Sequence, residues 1–409
     1  MAIIVQKFGG TSVGTPERIM NVAKRVIEER ANGNEVAVVV SAMGKTTDEL
    51  VALAKAITSS PSKREMDMLL TTGEQVTISL LSMALQALGQ EAVSFTGWQA
   101  GIQTEAVHGN ARILGIDPSS VKKTLEAGKV AVVAGFQGIT EAGDITTLGR
   151  GGSDTTAVAL ASALKAARCD IYTDVTGVFT TDPRFVKNAR KLLSISYDEM
   201  LELANLGAGV LHPRAVEFAK NYGIPLVVRS SMSKEAGTII EEEASMEENL
   251  IVRGVAFEDR ITRVSVMGLS ESLTGLPSIF AALAKNSINV DIIIQNVTGE
   301  GTANLSFSIK TEDLERTIEV LETSRNTLGY DRIETETGLS KVSIVGSGMV
   351  SNPGVAAQMF NVLANNGIQV KMVSTSEIKV SVVIDDKFMV HAVETLHDAF
   401  SLAGSSVRS

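Results

Sequence analysis

The sequence predicts an α/β layered domain followed by a pair of small split-βαβ units. Three observations carry this: strand-like and helical patterns alternate up to about residue 240, an acidic stretch without periodicity follows, and an internal repeat lies beyond it. In the first region, the β-branched runs 3–5, 36–40, 130–134 and 226–228 read as buried strands of a parallel-type sheet. Thr15-Pro16-Glu17 supplies an N-cap, a proline at the first helical position and an early acid. Ile19, Val22, Ala23, Val26 and Ile27 then recur on one helical face. Residues 75–88 and 155–166 are similarly apolar and helical. Glu241-Glu242-Glu243-Ala244-Ser245-Met246-Glu247-Glu248 reads as a solvated linker, placed at 241–260.

Beyond the linker, Arg263-Val264-Ser265-Val266-Met267-Gly268 is repeated as Lys341-Val342-Ser343-Ile344-Val345-Gly346. Leu283-Ala284-Lys285-Asn286-Ser287-Ile288-Asn289-Val290 returns as Leu363-Ala364-Asn365-Asn366-Gly367-Ile368-Gln369-Val370. Each copy reads strand, loop, helix, strand, strand, helix, a ferredoxin-like order. The units are placed at 261–337 and 338–409, where two can pair edge to edge and shelter exposed strands.

Composition narrows the function. The 409 residues include 37 Lys+Arg against 47 Asp+Glu, a net charge of −10, which disfavours non-specific binding to nucleic acid or anionic membrane. No apolar run approaches the roughly 18–20 residues of a membrane helix, and the N-terminal apolar stretch is too short for a signal peptide. One cysteine, Cys169, forbids an internal disulfide, and four scattered histidines show no zinc or haem spacing. A cytosolic location is expected. His108, His391 and His397 read as surface or packing residues.

Two glycine-rich matches are decoys. Gly44-Lys45-Thr46 resembles the end of a P-loop, but Val39 stands where its first glycine belongs. Gly346-Ser347-Gly348 lacks the third glycine of a dinucleotide fingerprint, having Ser351 instead. The stronger signals are Lys7-Phe8-Gly9-Gly10-Thr11-Ser12-Val13-Gly14 and Gly149-Arg150-Gly151-Gly152-Ser153-Asp154. Each sets paired glycines and a cation at a helix start, where the backbone approaches a ligand and N–H groups favour an anion. Asp154 reads equally as a helix cap or a functional acid. Two such starts suit phosphoryl transfer, which asks mainly for positioning and charge neutralisation.

At these residues the chain resembles the monofunctional aspartate kinases of the amino acid kinase superfamily. The segment 7–14 is similar to their N-terminal signature, and Thr72-Gly73-Glu74 and 148–154 to their other active-site segments. Thr173-Asp174-Val175-Thr176-Gly177-Val178-Phe179-Thr180-Thr181-Asp182-Pro183-Arg184 resembles their nucleotide-binding segment, and the repeat resembles a pair of amino-acid-sensing ACT domains. The resemblance implies a carbamate kinase-like three-layer α/β/α domain over 1–240, followed by two ferredoxin-like ACT domains. It also implies transfer of the γ-phosphate of ATP to the β-carboxylate of L-aspartate, with Mg²⁺ bridging the phosphates and no direct protein ligand to the metal. By position, Lys7, Asp154 and Arg150 would be catalytic. Ser41, Thr47, Glu74, Arg150 and Ser153 would bind aspartate, with Glu74 facing its ammonium and Arg150 forking its carboxylate. Lys7, Gly9, Gly10, Thr173, Asp174, Phe179 and Arg184 would hold nucleotide. Gly209 stands where many members have a nucleotide-contacting lysine, and Phe179 where some have tyrosine.

For regulation, the resemblance implies effector binding at the ACT interface, with Glu271, Ser272, Asp291, Gln295, Asn296, Asn352, Ser376 and Glu377 as candidates and most weight on Asp291, Gln295 and Asn296. L-Lysine is the expected principal inhibitor, with L-threonine second. The chain stops after the second ACT unit, leaving no room for a fused homoserine dehydrogenase. A homo-oligomer is expected, and Met246 is a candidate internal start for a shorter ACT-only subunit. The alternatives are a kinase for glutamate or acetylglutamate and a non-catalytic amino-acid sensor.

Overall fold

The computed structural model describes residues 1–206, 210–243, 250–270, 275–297 and 302–403, and these fall into two compact units. The first holds 1–179, 191–205 and 210–243; the second holds 180–190, 206 and 250–403.

The strands of the first unit are β1 (Ile3–Phe8), β2 (Glu35–Val40), β3 (Ala92–Phe95), β4 (Ile102–Thr104), β5 (Ile113–Ile116), β6 (Val130–Ala134), β7 (Gln137–Ile139), β8 (Ile145–Thr147), β9 (Arg168–Thr173), β10 (Ser194–Ser196), β11 (Leu226–Ser230) and β12 (Thr238–Glu241). Eight form one sheet in the order β10-β12-β11-β9-β1-β2-β6-β3. Its centre is parallel, with Lys7 opposite Val39 on one side and Ile171 on the other; β12 runs antiparallel to β11. Both faces of β2 are covered, which is why Val36–Val40 is an unbroken apolar run rather than an alternating one. Helices Pro16–Ala31 and Thr72–Ala87 bury Ile19, Val22, Val26, Ile78, Leu81 and Leu85 against Val36, Val38 and Val40. Helix Gly152–Leu164 packs on β1, β2 and β9, completing three layers. The order β5-β4-β7-β8 forms a small second sheet.

The near-continuous helical stretch Lys63–Ala87 is long and apolar enough to cross a membrane by length and composition, contrary to the sequence reading. Half of its most apolar window is buried within the protein, and it carries Asp67 and Glu74 inward, as a core helix does.

The second unit is one six-stranded sheet, β14-β15-β13-β16-β18-β17. Its strands are β13 (Gly254–Ser270), β14 (Ile293–Val297), β15 (Thr302–Lys310), β16 (Arg332–Val345), β17 (Met372–Thr375) and β18 (Lys379–Asp385). Here the boundaries differ from the expected ones. β13 begins at Gly254, inside the stretch read as linker, and residues 254–258 pair with 341–345. They are the fourth strand of the second ACT unit, whose core joins Val252 and Val255 to Val342, Ile344 and Val382. Reciprocally, the start of β16 is the fourth strand of the first unit, Ile333 lying opposite Val266. Each four-stranded unit needs an inner neighbour for its first strand, and the two long strands β13 and β16 supply it to each other. β13 changes register between Glu258 and Arg263, where Arg260 takes a left-handed φ of 55°, as it passes from one unit to the other.

A second boundary also moves. Residues 180–190, expected in the catalytic domain, pack in the second unit: Val186 enters the core of Val342 and Leu396, and Thr180 N–H donates to the Arg190 carbonyl at 2.8 Å. His397, read as a surface or packing residue, is fully buried there and bonds Thr180 Oγ1 through Nε2 at 2.9 Å; burial lowers its pKa. The apolar pattern could not announce this loop, because 180–190 carries only Phe185, Val186 and Ala189 as apolar residues.

Candidate active site

In a parallel sheet the strand order reverses where β1 meets β2 on one side and β9 on the other, and the crevice beyond those strand ends is the natural ligand site. Lys7 sits near the end of β1 and Thr173 at the end of β9. After β1 the chain turns through Gly9 and Gly10 into a short 3₁₀ helix, Gly10–Val13. Gly10 must be glycine, since a Cβ there would lie 2.8 Å from the Ala42 carbonyl oxygen. Its own carbonyl accepts from Gly44 N–H at 3.0 Å, drawing the turn after β2 against the turn after β1.

Lys7 Nζ lies 2.6 Å from Asp154 Oδ1, and both side chains are only 12% exposed. Asp154 is not the helix cap. That position belongs to Gly151, with φ 66° and no side-chain cap, which leaves Asp154 in the first turn facing Lys7. A side chain at Gly151 would fall 2.1 Å from His212 Cγ, so the glycine pair before Asp154 answers both to backbone geometry and to close packing. Ser153 is buried, its Oγ filling the space that a Cβ on Gly135 would claim. Arg150, just before these glycines, is exposed and has no hydrogen-bond or ion-pair partner among the described residues.

Glu74 is 2% exposed in the first turn of helix Thr72–Ala87. Its Oε1 accepts from Ala42 N–H at 3.0 Å, while Oε2 is buried and unpartnered. Burial pushes its pKa up to about 7, against the pull of its two backbone hydrogen bonds. Gly73 packs on Ala42, where an added Cβ would come within 2.8 Å of that residue's own Cβ. Ser41 donates its N–H to the Phe8 carbonyl at 3.1 Å and Thr47 lies in the first turn of helix Thr46–Ile57, both half-buried.

At the end of β9, Thr173 Oγ1 donates to Asp174 Oδ1 at 3.0 Å. Two residues missed by sequence reasoning tie this edge to the first glycine turn. Ser231 donates N–H and Oγ to the Thr173 carbonyl at 2.9 and 3.2 Å, and Ser12 Oγ donates to Ser231 Oγ at 2.8 Å. Ser12 stands inside the glycine motif, so its presence was legible; its partner was not. Phe179 is half-buried and bridges to Lys191. Arg184 lies in the second unit, where its guanidinium pairs with Asp182 at 2.6 Å and holds that carboxyl below its ordinary pKa. Gly209 lies outside the described residues.

Of the effector candidates, Glu271 and Ser272 lie outside the described residues. Asp291 does not offer the free carboxylate expected of it: Lys341 Nζ pairs with its Oδ2 and with Glu258 Oε2 at 2.9 Å. Lys341 is 6% exposed, and burial alone would lower its pKa. Its hydrogen bonds to Asp291 and Glu258 more than offset this and hold it above the ordinary range, so Asp291 is claimed from within. Gln295 and Asn296 are exposed on the edge strand β14. Asn352 Nδ2 donates to the Gly348 carbonyl at 2.7 Å, and Ser376 and Glu377 form the exposed turn between β17 and β18.

Comparison with known proteins gives this geometry its context. Residues 2–230 match the amino acid kinase family and 342–400 an ACT domain. The chain is 74% identical to an aspartokinase of Bacillus sp. MGA3 over the full length of both chains, and 70% identical to aspartokinase 2 of Bacillus subtilis over 98% of each. It is similar to E. coli aspartokinase III, 27% identical, over 97% of this chain and 99% of that one. The TM-score is 0.80 for the aspartate and ADP complex in the R-state and 0.77 for the lysine and aspartate complex in the T-state. The chain belongs to the aspartokinases, amino acid kinases that carry C-terminal ACT domains and phosphorylate aspartate.

Proposed function

We propose that phosphoryl transfer occurs beside Lys7 and Asp154 while Glu74, Arg150, Ser41, Thr47 and Ser153 hold L-aspartate. The observation that carries this reading is the buried Glu74 carboxylate with one oxygen unpartnered. Such an atom is costly unless a ligand completes it, and an ammonium both supplies the hydrogen bond and favours the ionised form. Arg150, exposed and unpaired, suits the α-carboxylate as a planar two-point fork. The β-carboxylate oxygen then attacks the γ-phosphorus of ATP. One O–P bond forms, the bond to the ADP oxygen breaks, and no covalent enzyme intermediate intervenes. Lys7 neutralises charge on the moving phosphoryl group, and Asp154 holds the ammonium of Lys7 in place for it. Thr173, Asp174, Phe179 and the turn through Gly9 and Gly10 take the nucleotide. Mg²⁺ carried on the phosphates fits this acidic edge, where Asp154 and Asp174 would orient its waters; it would supply further charge neutralisation.

The ACT unit takes L-lysine as principal inhibitor and L-threonine as a second effector, a reading supported by the lysine complex of E. coli aspartokinase III. The protein works in the cytoplasm as a homo-oligomer, with a shorter ACT-only subunit starting near Met246. Mass spectrometry of the native protein shows two chains if so, and one if not.

The test of the whole reading is acyl-phosphate formation from L-aspartate and MgATP, trapped with hydroxylamine, with and without lysine and threonine. Turnover with aspartate that lysine suppresses is the expected result. Turnover insensitive to both amino acids discards the effector assignment, and product from glutamate but not aspartate discards the substrate assignment.

A further inference from the structure

The loop that carries Arg150 is held by residues that lie outside the glycine-rich segments. Asp67, on helix Lys63–Leu70, is fully buried. Its carboxylate accepts from His108 Nδ1 at 2.8 Å, from Gly109 N–H at 3.1 Å and from Thr147 Oγ1 at 2.6 Å. A carboxylate survives out of water only where donors converge on it, and here none comes from its own helix. All come from the loop after β4 and the end of β8. His108, read from sequence as a surface or packing residue, is thus one of the donors that make Asp67 tenable.

From another side, Arg214 of helix Pro213–Tyr222 grips the same two segments. Its Nη1 donates to the Leu148 carbonyl at 2.8 Å and to Asn110 Oδ1 at 3.1 Å, and its Nη2 to the Ala111 carbonyl at 3.2 Å. Asn110 Oδ1 lies where a Cβ on Gly149 would come within 2.7 Å, and Gly149 holds a left-handed φ of 77°. Thr147, Leu148 and Gly149 are therefore fixed one after another, and the next residue is Arg150. Because Arg150 has no side-chain partner among the described residues, only its backbone aims it.

We propose that Asp67 and Arg214 are positioning residues for aspartate recognition: by pinning 147–149 against 108–111 they set the direction from which the Arg150 guanidinium meets the substrate carboxylate. The inference rests on the reading of Arg150 as that clamp and adds the machinery that aims it. A ligand group displaced by about 1 Å can cost on the order of 100-fold in rate or affinity, so a loosened loop registers in aspartate kinetics before it registers in folding.

The test uses the full-length enzyme and the hydroxylamine assay, with KM measured separately for aspartate and ATP, and thermal melting as the control for folding. Asp67→Asn and Arg214→Gln should each raise KM for aspartate about 10- to 100-fold while KM for ATP moves less than about 2-fold. Arg150→Ala should raise it at least as much. If Asp67 acts through Arg150, adding Asp67→Asn to Arg150→Ala changes nothing further. Should Asp67→Asn fail to fold, the half-exposed Arg214→Gln and the exposed Asn110→Ala carry the same cycle. Single variants that lower kcat alone or raise KM for both substrates together, or whose effects multiply with that of Arg150→Ala, overturn the inference and leave the clamp standing. An Arg150→Ala enzyme with unchanged aspartate KM removes the clamp reading itself, and the inference with it.

Discussion

The crevice of the catalytic unit and the centre of the ACT unit both gather charged side chains, but they complete them differently. In the crevice, Glu74 keeps one oxygen unpartnered and Arg150 has no partner among the described residues. In the ACT sheet, Lys341 bridges Asp291 and Glu258, Arg263 pairs with Glu336 at 2.7 Å, and Lys371 bridges Glu336 at 2.7 Å and Asp385 at 3.2 Å. The two clusters echo the repeat: Arg263 and Lys341 occupy matching positions, as do Asp291 and Lys371. Charges completed from within hold register between β13 and β16, whereas the charges left open are those proposed to take aspartate. Open valence therefore separates a binding site from a structural network where burial alone does not.

The largest expected effect breaks the crevice side of this comparison. Lys7→Ala should reduce acyl-phosphate formation about 1,000-fold while thermal melting still shows a folded protein, because the lost charge is needed mainly in the transition state. Turnover within about 10-fold of the parent enzyme would remove Lys7 from the chemistry.

Glu74→Gln comes next, with a rise in aspartate KM of about 100-fold from losing a charged hydrogen bond in a buried site. The pH dependence sharpens the point. In the free enzyme Glu74 ionises at about 7, and only the ionised form attracts an ammonium, so kcat/KM for aspartate should fall as pH drops below 7. That limb should vanish in Glu74→Gln. Stability follows the opposite sense. A carboxyl raised from 4.5 to about 7 by burial stabilises the fold fully below its unfolded pKa, and loses that contribution as pH rises through 7. The ligand-free protein should lose at most about 3 kcal/mol from this group over that window, and urea unfolding at several pH values measures it.

On the ACT side, Lys341→Ala should destabilise by about 2 kcal/mol, because Glu258 and the half-exposed Asp291 lose their shared cation while water screens the charges left behind. Aspartate KM should stay unchanged when assayed without effectors. A smaller effect tests the reassigned strand. Val255→Ala should cost about 1 to 2 kcal/mol, since it removes two buried methyl groups from the core of the second ACT unit. Hydrogen exchange should quicken in 341–345 and 379–385 before it does in 302–310; equal quickening in both would mean that residues 254–258 do not belong to one unit alone.

Much of the crevice was legible because its signals are local. Paired glycines, a lysine at a strand end and an acid in a helix's first turn each declare themselves within eight residues. Asp67 and Arg214 declared nothing, since their partners lie 41 or more and 66 or more residues away, and an isolated Asp or Arg reads as surface. The claim of Lys341 on Asp291 was equally silent, spanning 50 residues. The acidic linker was overextended for a different reason: its acid-rich start was carried on through Leu250-Ile251-Val252 and Val255-Ala256-Phe257, a local apolar run that pairs with β16.

The sequence by itself determined the layered α/β class, the repeat and the glycine-rich starts, because hydrophobic periodicity and backbone freedom are properties of neighbouring residues. The tertiary structure alone decided which charges are left open, which loop aims Arg150 and which strand completes each ACT unit. Those depend on the distances between side chains that the chain brings together only on folding, and desolvation there turns an ordinary glutamate into one that ionises at about 7.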